Sequence, residues 1–178
     1  MKNRTERLVT TAVMIALGTI LSFIKVWKMP MGGSVTLLSM LPVALVSLKY
    51  GAKWGFFGGF VYSIVQLMLD LGEVTGWGLT PTVLVGTILL DYILAYTALG
   101  FCGIFGKDTT FSIVRGISFA MVVRFLCHFI SGSILFGIWA WDGWNVYLYS
   151  FCYNGLYMLP EMIFTIIGAG FLFRKFEF

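Results

Sequence analysis

The chain reads as apolar runs separated by short polar or glycine-rich breaks. These runs predict six membrane-spanning helices, at residues 8–27, 37–48, 54–69, 81–105, 111–138 and 146–173. A hydrocarbon core of about 30 Å takes about 20 apolar residues per helical crossing, so six crossings use nearly the whole length. The N-terminus has the charge of a signal peptide. Its apolar run is too long for one, however, and it ends in Lys25 and Trp27 without a small-residue cleavage site, so it is kept as the first span.

The breaks carry their own signals. In KMPMGGSVT, Pro30, Gly32 and Gly33 continue a helix poorly, so a turn is expected, with Ser34 or Thr36 capping the next element. The second run contains Pro42 and is short for a crossing, which is tolerated where protein or a water-filled cavity surrounds the backbone. Gly51, Gly55 and Gly59, at steps of four, give the third run a face that another helix can approach closely. Residues 70–80 read as an acidic, glycine-rich linker, closed by Thr80 as an N-cap and Pro81 in the first turn. The fifth run is longer than one crossing requires and must tilt or project. Neither an internal repeat nor a low-complexity segment is visible.

Composition turns the pattern into a fold class: a single all-α, polytopic membrane domain over residues 1–178. With 59% hydrophobic residues, 11% charged and a mean hydropathy of +0.92, the chain is far more apolar than a soluble domain. No ATPase domain fits beside the spans. The net charge of +4 would suggest nucleic acid in a soluble protein. Here the positive charges sit at the ends of apolar runs, so the expected environment is a lipid bilayer and no nucleic-acid partner is expected. With both termini in the cytoplasm, Lys2, Arg4, Arg7, Lys49, Lys53, Lys107, Arg115, Arg174 and Lys175 face inward, nine of the 12 Lys and Arg. Lys25 and Lys28 fall outside, where their stems snorkel to the interface, and Arg124 lies within a span. The bias predicts an N-in, C-in bundle. Cys102, Cys127 and Cys152 are odd in number and lack metal-ligand spacing, so they read as buried small hydrophobes, with no metal site expected.

Ionisable groups inside a membrane need a partner or a purpose. Four stand in the runs: Asp91, Arg124, His128 and Glu161. At about 1.5 Å per residue, Asp91 lies about 15 Å from the outer end of its helix, His128 about 24 Å from the inner end, and Asn154 about 13 Å from the outer end. Three helices therefore bring polar groups to one depth in the outer half of the bilayer. Arg124, His128 and Gly132 share a helix face that Phe136 continues, and the glycine leaves room for a flat ligand. Tyr62, Trp77, Trp139, Trp141, Trp144 and Tyr149 supply aromatic walls near the outer ends. Aromatic faces and a desolvated carboxylate suit an organic cation. Plainer readings stand beside this one: the aromatics as an interfacial belt, His128 as a packed residue, Asp91 and Arg124 as a structural pair. Glu161 follows Pro160 and stays unassigned. Ala12 and Ala16 form a small-xxx-small face on the first helix, a pattern that usually serves packing.

The motifs MPMGGSVTLLSMLP (29–42), YGAKWGFFGGFVY (50–62), LDYILAY (90–96), RFLCHFISG (124–132), WAWDGW (139–144) and YSFCYNG (149–155) resemble the thiamin-specific substrate-binding (S) components of energy-coupling factor transporters, across almost the whole chain. The resemblance implies six membrane helices enclosing thiamin near the outer surface. It places Asp91 at the acidic position against the thiazolium ring, followed by Tyr92, and His128 at the ring-stacking position, with Gly132 one turn later. Tyr149 and Asn154 fall where the aminopyrimidine is bound, and Arg124 falls near the hydroxyethyl end. Phe136 and Tyr62 stand where some members have tryptophan, with Trp139 and Trp141 nearby. The resemblance also implies that Ala12 and Ala16 dock against a membrane coupling subunit (the T component) driven by two separate ATPases. Thiamin is then the transported ligand and ATP is used only by the partners, while this chain has no catalytic residues and no cofactor of its own. The location implied is the bacterial cell membrane.

On the residues alone, three other readings stay open. The same scaffold would admit a thiamin precursor or another vitamin. Asp91, His128 and Glu161 would serve an ion-coupled carrier working alone. A membrane enzyme lacks a visible nucleophile with a base, or a metal cluster.

Overall fold

A computed structural model of the chain describes residues 2–175, with side chains at all of these positions except 2, 3, 31 and 173–175. The inward-charge expectation for Lys2, Arg174 and Lys175 therefore falls on side chains outside the described ones. Six helices form the bundle: α1 (Lys2–Ser22), α2 (Leu41–Tyr50), α3 (Ala52–Gly76), α4 (Pro81–Gly103), α5 (Thr110–Ile134) and α6 (Val146–Lys175). Five are long and apolar enough to cross a membrane, and only α2 is not. Between α1 and α2 stands a small antiparallel hairpin, β1 (Lys25–Lys28) and β2 (Ser34–Thr36), closed by a 3-10 turn over Pro30–Gly32.

The short α2 holds the bundle together. Every residue from Leu41 to Leu48 is buried, so protein rather than lipid surrounds a helix about 15 Å long. Its Leu41, Val43, Ala44, Leu45 and Leu48 pack with Tyr62 of α3, Leu99 and Cys102 of α4, and Ile117 and Met121 of α5. Ser47 adds polar fastening, because its hydroxyl donates to the Gly100 carbonyl at 2.6 Å and accepts from the Gly103 N–H at 2.8 Å. A Cβ on Gly55 would lie 2.4 Å from the Ser47 side chain, and one on Gly59 would lie 2.8 Å from the Tyr96 carbonyl. Those two glycines do form a close-approach face. Gly51 does not belong to it, because at φ +87° it makes the turn between α2 and α3 and faces open space.

Several boundaries differ from the sequence reading. The acidic stretch at 70–76 continues α3 and is not a linker: Val74 is fully buried, and both acidic side chains find partners, Asp70 at the Tyr92 hydroxyl and Glu73 at Lys28. The first helix ends at Ser22, so Lys25, Trp27 and Lys28 belong to the exposed hairpin strand, and Lys28 pairs with Glu73 at 3.5 Å instead of only snorkelling. Neither Ser34 nor Thr36 caps α2, whose N-cap is Met40. At the start of α4, Thr80 is the N-cap, its hydroxyl accepting from the Val83 N–H at 3.4 Å ahead of Pro81. The fifth helix stops at Ile134, and a separate 3-10 turn covers Gly137–Trp139. Of the cysteines, which are free thiols, Cys102 is buried but Cys127 and Cys152 are only half-buried.

Candidate functional site

One end of the bundle encloses a cavity. Its wall comes from the C-terminal end of α1, the hairpin, the last turns of α3, the middle of α4, the second half of α5 and the first half of α6. Helices of alternating direction present opposite halves at one level, which is the arrangement that depth counting along the chain predicts. The cavity measures about 190 Å³. A single water needs about 10–15 Å³ by the same measure, so the space suits a molecule of many heavy atoms.

The mouth is aromatic. Trp77 meets Phe136 edge-on with centroids 6.0 Å apart, and Phe136 meets Trp139 at 5.5 Å. The hairpin closes beneath them. At φ +90° Gly32 takes a backbone conformation that favours glycine, and a Cβ there would lie 3.1 Å from the Trp77 ring, a tight contact for the indole that rests on the turn. On the opposite side the Tyr153 hydroxyl donates to the Pro30 carbonyl and accepts from the Gly33 N–H at 3.2 Å. Tyr149, also on the wall, is flanked by Tyr153 at 5.6 Å.

The middle tier centres on Asp91. One carboxylate oxygen meets His128 Nδ1 at 2.8 Å, and the other accepts from the Ser131 hydroxyl at 2.5 Å. Asp91 therefore pairs with His128, not with Arg124. The helical backbone explains why Asp91 and its neighbour Tyr92 both reach the cavity. From Ile88 to Leu94, α4 is π-helical. The wider turn brings Thr87, Asp91, Tyr92 and Tyr96 into one row, where an α-helix would splay adjacent residues by about 100°. Tyr92 is fixed by its hydroxyl, which donates to Asp70 at 3.2 Å. Across the cavity, the Asn154 amide donates to the His128 carbonyl at 3.2 Å and the Ser150 carbonyl at 2.9 Å, while its oxygen accepts from the Tyr157 hydroxyl at 2.8 Å. That oxygen keeps a second lone pair for a ligand amine.

The floor holds two charges. The Arg124 guanidinium lies over the Tyr96 ring, 4.6 Å from its centroid. Glu161 accepts from both the backbone N–H and the hydroxyl of Thr36, each at 2.5 Å. Beyond them the other half of the bundle is filled by the apolar core around α2.

Of the residues singled out from sequence, the cavity brings together Asp91, Tyr92, Arg124, His128, Gly132, Phe136, Tyr149 and Asn154. Trp77 and Trp139 also line it, while Tyr62, Trp141 and the exposed Trp144 stand apart from it. Tyr62 is wholly buried in the core with its hydroxyl on the Gly18 carbonyl at 3.3 Å. Trp141 is 42% exposed and meets Tyr149 edge-on at 5.2 Å, outside the lining. Gly132, on the cavity wall, also has a packing reason to be small. A Cβ there would sit 2.4 Å from the Ser150 hydroxyl, so the glycine serves the α5–α6 contact as well. Sequence reasoning missed Ser131, Tyr153, Tyr157 and the floor role of Glu161. The signal was present, since Tyr149, Tyr153, Tyr157 and Glu161 follow one another at steps of four on one helix face. On α1, Ala12 and Ala16 are both exposed, among exposed Val9, Val13 and Leu17.

Comparison with known proteins adds an independent finding. A family model described as thiamine transporter protein matches residues 8–177. The thiamine transporter ThiT of Bacillus subtilis is 33% identical over 181 residues, covering 94% of this chain and 90% of that protein. ThiT of Lacticaseibacillus paracasei is 30% identical over 145 residues, covering 75% and 70%. A solved structure of ThiT from Listeria monocytogenes superimposes with a TM-score of 0.81 at 22% identity, covering 97% of this chain and 96% of that one.

Proposed function

This chain belongs to the thiamine transporter family, and we propose that it captures thiamin through Asp91 and hands it inward as the substrate-binding component of an energy-coupling factor transporter. It is a multi-pass cell-membrane transport protein and not an enzyme. The observation that carries the residue assignment is the Asp91 carboxylate, held on both oxygens by His128 and Ser131 inside an aromatic-walled cavity. A fixed carboxylate in a site of low dielectric attracts a cationic ring far more strongly than it would in water, and ring faces add to that attraction.

In this reading the thiazolium lies against Asp91 and His128, with Phe136 as a wall. Tyr149 and Asn154 receive the aminopyrimidine, the second lone pair of Asn154 Oδ1 taking its amine. Arg124 lies toward the hydroxyethyl end. Both termini face the cytoplasm, so the cavity opens outward. The apolar half of the bundle below the cavity supports a subunit that is moved by a partner over a carrier working alone, because polar lining stops at the floor. The exposed Ala12 and Ala16 face is the docking surface for the membrane coupling subunit, and two ATPases outside this chain consume the ATP. The chain itself needs no cofactor. Titrating the purified chain with thiamin, without ATP, is expected to give saturable binding with quenching of tryptophan fluorescence. The absence of both heat and quenching at saturating thiamin would remove the assignment.

A further inference from the structure

Capture of a cationic ring at Asp91 leaves Glu161 on the floor of the cavity without a role, although it and Arg124 are the two most deeply buried charges on the wall. Glu161 is 2% exposed and Arg124 is 5% exposed. Thr36 fixes one carboxylate oxygen of Glu161, yet the other, Oε2, is buried without a hydrogen-bond partner, as is Arg124 Nε. The two side chains do not form an ion pair with each other. Hydrogen bonds from Asn154 to the His128 carbonyl and from Ser150 to the Phe129 carbonyl set α5 and α6 antiparallel. Arg124, about 6 Å before His128 on α5, and Glu161, about 10 Å beyond Asn154 on α6, therefore both start below the level of Asp91, about 4 Å apart along the axis, and both side chains line the cavity there.

We propose that Glu161 and Arg124 form a hydroxyl-reading subsite that selects an aromatic cation ending in a free alcohol over the phosphate ester of the same alcohol. The inference rests on the thiamin reading of the same cavity. A hydroxyl offers one donor and two acceptor lone pairs. It matches a carboxylate oxygen that needs a donor beside a guanidinium that needs an acceptor. A two-carbon arm on a ring at Asp91 carries its hydroxyl toward the part of the wall that these two side chains line. Arginine alone would welcome a phosphate, but the fixed carboxylate beside it inverts the preference. An ester brings up to two negative charges and no strong donor against Glu161 in a desolvated site. An analogue without the hydroxyl leaves both buried groups unpaired. Because Glu161 is also bonded to the backbone of β2, a ligand hydroxyl on Oε2 would be one carboxylate away from the hairpin that closes the site.

The test uses the full-length purified chain, titrated by calorimetry with thiamin, with an analogue carrying ethyl in place of hydroxyethyl, and with thiamin monophosphate. The unaltered chain is expected to bind thiamin at least about tenfold more tightly than either other ligand. Glu161→Gln keeps an acceptor for Thr36 and removes the charge, so the ratio of monophosphate to thiamin affinity should rise by about tenfold. An ethyl analogue that binds the unaltered chain as tightly as thiamin overturns the subsite, and that arm needs no variant to fold. A ratio unchanged in Glu161→Gln overturns the charge selection. If the unaltered chain binds no thiamin, the functional reading falls and the subsite with it; if thiamin binds but the three ligands are equal, only the subsite falls.

Discussion

Asp91 is the residue on which the proposed chemistry turns, and its two partners do different things. His128 lies against one carboxylate oxygen, while Ser131 donates to the other and fixes the plane of the group. Replacing Asp91 with Asn keeps the shape and removes the charge. A charge-assisted contact is worth about 1.5–3 kcal/mol, so thiamin affinity should fall by roughly ten- to hundredfold. A neutral aminopyrimidine without the thiazolium should lose only a few-fold. Calorimetry with both ligands checks this, and equal losses would remove the charge argument. Asp91, His128 and Asn154 were legible from sequence because an ionisable or amide group deep in an apolar run must have a partner, and counting along three helices gave one depth. Their pairing was not legible. Whether Asp91 meets His128 or Arg124 depends on helix rotation, and a local π-helical stretch changes that rotation without an obvious sequence mark.

Among the elements, the close contacts of α4 with α5 and of the hairpin with α6 are the most exposed to test. A Cβ on Gly116 would lie 2.0 Å from the Cys102 carbonyl, a backbone atom that cannot step aside. Gly116→Ala should therefore cost about 1–3 kcal/mol, seen as a lowered unfolding temperature in detergent. The hairpin depends on one hydroxyl, that of Tyr153, for its bonds to Pro30 and Gly33. Tyr153→Phe removes both bonds and keeps the ring. At about 0.5–1.5 kcal/mol per bond, thiamin release should quicken by roughly tenfold, measured by stopped-flow tryptophan fluorescence; an unchanged rate would mean that the hairpin is held elsewhere. The turn itself was readable in Pro30, Gly32 and Gly33. Its flanking strands were not, because seven strand residues without a second sheet are stabilised by docking on α6 and not by their own pairing.

At the scale of the molecule, the cavity and the α1 face are separate features, and the proposed transport cycle needs both. Ala12→Leu or Ala16→Leu enlarges an exposed surface and touches no cavity residue. Thiamin binding by the purified variant should stay within about twofold of the unaltered chain, since surface changes usually cost less than about 0.5 kcal/mol, while uptake by cells carrying the coupling module should be lost. Loss of binding would instead make the pair part of the bundle's packing.

The sequence by itself determined that the chain is a membrane-spanning helical bundle, roughly where each run begins, and that polar groups from separate helices meet in one half of it. Those conclusions come from hydropathy, span length and rise per residue, which are one-dimensional quantities. Only the tertiary structure decided that Asp91 pairs with His128, that Tyr62 belongs to the core, that Trp141 stays outside the lining, and that Glu161 stands with Arg124 at the floor. Each of these depends on how far a helix is turned about its axis and how closely its neighbour approaches, and that is set by glycine contacts and packing between segments distant in the chain.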